Sequence, residues 1–272
     1  MKLKKSNSKP SNKRRVVYQP PNKSPLRTIM FIMVLAIITL ASFAAIFHKE
    51  VEMLVLKHVT ENPKQTLVPK EQRHQPSYNA ASVLNVTPQD VIDVQQNAAM
   101  MNQVAQIVIP SIGVDLPIQE GVDYYTELIG AGEQYPRSII KPGGRGNYVL
   151  ASHHIEGFWN TNLLFTSINK LNGNDIIYVN DDTNIYTYKV TNNEQVSVED
   201  VSWIEPTPSS GKAYITLYTC VSDATSKVLR QIIRGELIKV DKNDEHLPQE
   251  IKNAFYAQGF NQMTPWERAS LR

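Results

Sequence analysis

The chain has 272 residues, with 28 Lys or Arg against 26 Asp or Glu, one cysteine and a formal net charge of +2. That near balance hides an asymmetry: the first 27 residues hold nine basic residues and no acid, leaving 19 basic against 26 acidic residues, about −7, for the rest. So acidic a remainder argues against nucleic acid as the partner, and a lone cysteine excludes an internal disulfide framework.

Residues 1–28 form a basic arm. Ile29 to Phe47 carries no charge, and about 19 apolar residues cross a hydrocarbon core as a helix. Positive charge precedes this run and His48-Lys49-Glu50 follows it. The positive-inside rule therefore expects a single-pass cell-membrane protein, with its N-terminus cytoplasmic and the remainder extracellular. The run is long for a cleaved signal peptide, and no small-x-small cleavage site follows. Residues 48–86 scatter Lys, Gln, Asn and Pro and read as an extracellular linker, with a start (Val51 to Leu56) apolar enough to prolong the helix.

A folded domain is expected over 87–240. Thr87-Pro88-Gln89-Asp90 is a helix start, with a Thr cap, Pro at the first position and an acid in the first turn, running to about Met101. Short strands follow at Gln106–Pro110 and Val114–Ile118, then a helical turn over Tyr124–Gly130 and a tight Gly130-Ala131-Gly132 passage. Gly146 to His154 reads as a strand ending in two histidines. Ile177–Val179 and Ile185–Val190 flank an Asn-Asp-Asp-Thr-Asn turn as a hairpin, and Val196–Val201 is expected as another strand. Many short strands and few helices predict a mainly β fold, a closed or nearly closed barrel. Residues 241–272 form a C-terminal extension with a helix expected over Gln249–Gln258 and a capping-box start at Thr264.

Two late strands carry the chemistry. In Ala213 to Cys220, Tyr214, Thr216, Tyr218 and Cys220 share one face. In the next, Val228, Arg230 and Ile232 do. The polar segment Val221–Lys227 between them predicts an antiparallel pair, with Arg230 beside Cys220. A cation favours the nucleophilic thiolate, and a guanidinium fork suits a developing oxyanion. On spacing alone, Cys220 is as readily a small buried thiol, and Arg230 the partner of some carboxylate.

Thr216-Leu217-Tyr218-Thr219-Cys220, with Ala151-Ser152-His153 closing an earlier strand and Arg230 ten residues on, resembles the sortase transpeptidases of class A, the housekeeping group of Gram-positive bacteria. The resemblance covers about Thr87 to Val240. It implies an eight-stranded sortase-type β-barrel with short helices, preceded by one transmembrane helix. It also implies a membrane-anchored cysteine transpeptidase that cleaves the Thr–Gly bond of a Leu-Pro-any-Thr-Gly (LPXTG) sorting signal on a secreted protein. Cys220 is the implied nucleophile, His153 the acid and base, and Arg230 the oxyanion partner. Ala151, Tyr218 and Thr219 match positions that bind the signal, and the loop Val201–Lys212 matches the one that recognises it. The acceptor that the resemblance implies is the amine of a lipid-linked peptidoglycan precursor, and neither a cofactor nor a metal is expected in the reaction.

His153 rather than His154 matches the family histidine, and strand alternation sets His154 on the opposite side. Arg230 is preferred to Arg234 because it lies nearer the Cys220 end; Arg234 reads as a solvated or ion-paired charge. Some class A members bind calcium through acidic residues before the histidine strand. Lys141-Pro142-Gly143-Gly144-Arg145-Gly146 offers no carboxylate there, so calcium-independent activity is expected. A papain-like hydrolase is disfavoured because Cys220 ends a strand late in the chain. A pilin-polymerising enzyme of the same fold usually carries a second membrane helix, yet no apolar run follows Val240. A non-catalytic anchored wall-binding protein is the rival from outside enzymology.

Overall fold

Alternating β-branched and aromatic residues give each strand one apolar face, and closing the sheet on itself buries that face without leaving an edge. The computed structural model describes residues 25–61, 75–78, 90, 102–155, 163–207, 211–222 and 228–256. Its strands are β1 (Gln103–Ile109), β2 (Val114–Gln119), β3 (Ala131–Glu133), β4 (Gly146–Ala151), β5 (Ile176–Asn180), β6 (Asn184–Ser197), β7 (Ala213–Ser222) and β8 (Val228–Lys242). They form a closed barrel in the order β1-β2-β3-β4-β7-β8-β6-β5. Ile107, Leu116, Ile118, Leu150, Val179, Ile215, Leu217 and Ile233 belong to its main buried cluster.

Most neighbours pair antiparallel, but β2 with β3 and β4 with β7 run parallel. Parallel neighbours need a crossover rather than a hairpin. The β2-to-β3 crossover is a short helix, α2 (Tyr124–Ile129). Asp123 caps it by accepting from the backbone N–H groups of Tyr125 and Thr126, while Thr126 Oγ1 accepts from the Asp123 N–H. Gly130 ends it against β2: a Cβ there would stand 2.1 Å from the Pro117 carbonyl oxygen. Any side chain at that position would push α2 off the barrel.

The N-terminal helix is α1 (Pro25–Glu61), within which Leu26–Phe47 is long and apolar enough to cross a membrane. Residues 48–61 of the expected linker are thus helical. The helix expected from Thr87 lies outside the described residues except for Asp90, which is helical. The C-terminal helix appears as α3 (Gln249–Tyr256), with Ile251, Ala254 and Phe255 buried against Val108, Tyr178 and Ile185 on the outside of the barrel. The capping box at Thr264 lies outside the described residues.

One expectation fails. Val196–Val201 is not a separate strand: β6 runs without a break to Ser197, and Val201–Trp203 is a 3₁₀ turn. The polar run Thr191 to Gln195 looks like a break, but β8 pairs with β6 from Asn184 to Ser197, and a register shift between Val190 and Asn192 absorbs the irregularity. Pairing overrides propensity here.

Candidate active site

Cross-strand register places the thiol and the guanidinium together. Cys220 on β7 pairs directly with Arg230 on β8, and Tyr218 with Ile232. Directly opposed residues hold their Cβ atoms about 4.5–5.5 Å apart. The Arg230 guanidinium lies over the Tyr218 ring, 4.8 Å from its centroid. Its Nη1 is buried and meets no hydrogen-bond acceptor among the described residues. Such a donor is costly to leave unmade and is poised for an acceptor that arrives later.

Parallel pairing brings the histidine strand alongside. Ala151, the last residue of β4, pairs with Tyr218. Two residues on, His153 is buried, with 3% of its surface exposed. Ser152 fixes the chain just before it: its N–H donates to the Tyr218 carbonyl, and its hydroxyl donates to the carbonyls of Gly130 (2.6 Å) and Glu127 (3.2 Å). The His153 carbonyl accepts from the Phe165 N–H.

Glu127 on α2, which the sequence reading did not single out, lies among these residues. It is 4% exposed, and its Oε2 stands 3.9 Å from His153 Nδ1. Burial pushes its carboxyl up to about 7, with Arg230 opposing and Asp123 adding to the rise. Burial also pushes the Cys220 thiol up; Arg230 pulls it back and Glu127 pushes it further. The resting sulfur is therefore a thiol at neutral pH, and forming the thiolate needs a proton acceptor. Glu127 thus lies in reach of the imidazole, the guanidinium and the sulfur. No sequence signal marks it: α2 is too short to show a periodicity, and only its packing under the end of β4 buries the carboxylate.

The remaining predicted positions divide. Ala151 is wholly buried and Tyr218 is 2% exposed; with Val122, Val149 and Ile232 they make an apolar floor on which Trp203 and Ile204 pack. The Tyr218 hydroxyl donates to Gln134 Oε1. Thr219 faces away from Cys220, as alternation requires. Its hydroxyl is buried without a hydrogen-bond partner among the described residues and lines a small cavity with His154, Thr166 and Gln231. His154 and His153 thus occupy different surroundings.

Arg234 is half-buried and, among the described residues, forms no ion pair. Its guanidinium lies 4.6 Å from the Trp203 ring centroid and 5.7 Å from that of Tyr214. Nη2 donates to the Trp203 carbonyl at 2.6 Å and Nε to Thr216 Oγ1 at 3.2 Å. Thr216 donates in turn to Asn147 Oδ1, and Asn147 Nδ2 donates to the carbonyls of Trp203 and Glu205. Together Asn147, Thr216 and Arg234 fasten the start of the β6–β7 loop to the barrel wall. Sequence spacing hides this because Trp203 meets Arg234 only through the fold.

Among the described residues, no group of three His, Cys, Asp or Glu side chains stands close enough to hold a metal ion.

The chain is also similar to known proteins. The family model described as the sortase domain matches residues 107–238. Sortase A of Bacillus anthracis is 30% identical over 183 residues, covering 67% of this chain and 81% of that protein. Sortase A of Listeria monocytogenes is 29% identical over 232 residues, covering 85% and 98%. The crystal structure of the Listeria monocytogenes enzyme aligns with a TM-score of 0.47 at 33% identity, over 57% of this chain and 97% of that one.

Proposed function

This chain belongs to the sortase family, as a class A cysteine transpeptidase, and we propose that it cuts the Thr–Gly bond of a Leu-Pro-any-Thr-Gly signal and joins the freed threonine to a lipid-linked peptidoglycan precursor amine. The family implies cell-wall sorting-signal proteins as substrates; the particular motif and acceptor are the proposal.

In the first half-reaction, Cys220 gives its proton to His153, and Sγ, now a thiolate, attacks the threonine carbonyl carbon. Charge gathers on the carbonyl oxygen, and Arg230 donates to it. Collapse breaks the C–N bond while His153, as imidazolium, passes its proton to the departing glycine amine. A thioester remains, and its retained bond energy explains why no nucleotide is needed. In the second half, neutral His153 takes a proton from the entering amine as it attacks the thioester carbon. Cys220 then leaves as thiolate, and return of the proton from His153 restores the resting thiol. Ala151 and Tyr218 line the path of the signal, Thr219 marks its edge beside the nucleophile, and the loop from Val201 to Lys212 reads the signal's side chains.

We assign residues 29–47 as the membrane anchor, with the arm 1–28 cytoplasmic and 48–86 a linker to an extracellular catalytic domain over 87–240 that the extension 241–272 follows. The helix Leu26–Phe47 supports this arrangement.

The observation that carries the reading is the directly opposed pair Cys220 and Arg230, with an unspent guanidinium N–H beside a lone thiol. The test incubates the full chain with a quenched Leu-Pro-any-Thr-Gly peptide series and candidate amines, and weighs the products. Amine-joined peptides ending at threonine are expected, with none from Cys220→Ala. Cleavage elsewhere, or undiminished turnover by that variant, sinks the proposal.

A further inference from the structure

We propose that Glu127 is a positioning residue for this reaction: its carboxylate takes the Nδ1 side of the His153 ring and leaves Nε2 to carry the proton between departing and entering amines. The inference rests on the roles proposed above for Cys220, His153 and Arg230.

Three features converge on it. The first is placement: Glu127 Oε2 is 3.9 Å from His153 Nδ1, about one ångström beyond a hydrogen bond, in a site without substrate. Catalytic contacts are often long in such a state and tighten in the reacting complex. The second is rigidity. The Ser152 hydroxyl ties the Glu127 carbonyl to the residue preceding His153, Asp123 caps the same helix, and Gly130 lets it sit against β2. Carboxylate and imidazole are therefore held near one another through the backbone. The third is isolation, since a carboxylate 4% exposed on a helix of six residues has little water to satisfy it.

The chemistry follows from imidazole having two nitrogens. A histidine that must donate and then accept at one nitrogen has to keep the other occupied, or the ring presents the wrong tautomer. A carboxylate at Nδ1 holds the N–H there and steadies the imidazolium that forms when Cys220 gives up its proton. The charged and titratable groups facing Glu127 are Asp123 on its own helix, His153 after β4, Tyr218 and Cys220 on β7, and Arg230 on β8. A carboxylate among them favours the protonated form of both His153 and Cys220.

The decisive measurement is the pH profile of the full chain in detergent, with the best-cleaved peptide of the series above. In Glu127→Gln, kcat is expected to fall on the order of tenfold with KM unchanged. Both limbs of the kcat/KM profile should move to lower pH, because one negative charge has gone from beside both groups. Glu127→Asp should recover part of the rate and of the position. An unmoved profile in Glu127→Gln, whatever its rate, overturns the proposal, since loss of packing alone lowers the active fraction without displacing either limb. In that case an inactive Cys220→Ala leaves the transpeptidase reading standing. Should Glu127→Gln fail to fold, ring-nitrogen NMR shifts of His153 in Cys220→Ala at alkaline pH decide the matter. An Nδ1–H ring supports the role, and an Nε2–H ring refutes it.

Discussion

Arg230 and Arg234 stand on the same strand and the same face, yet they do opposite work. Arg230 opposes Cys220 and keeps a buried N–H unspent. Arg234 opposes Thr216, and its donors are taken by the Trp203 carbonyl and the Thr216 hydroxyl, with two aromatic rings flanking it. The difference lies in the cross-strand neighbour and in the loop that happens to cover it. On the reading proposed above, one guanidinium is a reagent and the other a fastener, so the same substitution at each should fail differently.

The widest separation is expected from Arg230. Arg230→Lys keeps the charge but loses the fork, and kcat should drop about 10²–10³-fold, as on losing an oxyanion donor. In Arg230→Met, alkylation of Cys220 should show its midpoint moved to higher pH, because the one group pulling the thiol down has gone. An unchanged midpoint would mean that Arg230 does not reach the sulfur. Arg234→Met should leave that midpoint alone. Its expected effect is on binding: KM rises about tenfold with kcat nearly held, as a charged hydrogen bond worth roughly 1.5–3 kcal/mol and a cation–π contact are lost from the loop. A fall in kcat with KM unmoved would erase the contrast between the two arginines.

A smaller effect tests the surroundings of Arg230. Glu127 is raised when folded, so the folded state holds its proton over a pH range where the unfolded chain has released it. Its contribution to stability is complete below the unfolded value near 4.5 and is lost as pH rises through about 7. The Tm should therefore decline across that window, and less steeply in Glu127→Gln. Smallest of all, chelation of calcium should leave peptide cleavage unchanged, because the loop 141–146 holds no carboxylate. A several-fold loss would show that a cation is held elsewhere.

The parts of the site that were legible from sequence are those fixed by alternation. Period two put Cys220 and Tyr218 on one face and Thr219 on the other, and the polar turn after Val221 brought Arg230 back beside the thiol. What stayed hidden depends on contacts between segments far apart. Neither parallel pair announces itself locally, so the seat of Glu127 under β4 had no signature. Trp203 over Arg234 was hidden for the same reason. Val196 misled in the other direction: the asparagines before it imitate a turn, and only the partner strand keeps β6 extended.

The parallel seam between β4 and β7 has one more consequence. The ends of β4 and β7, which lead to His153 and Cys220, come together only when strands with two others between them in sequence have docked side by side, and non-local pairings of this sort are the slow events in folding. A partly synthesised or half-refolded chain carries an inert thiol. Competence should arrive in a single step with closure, so that recovery of turnover after denaturation tracks the last β-sheet signal to return and no fragment is active on its own.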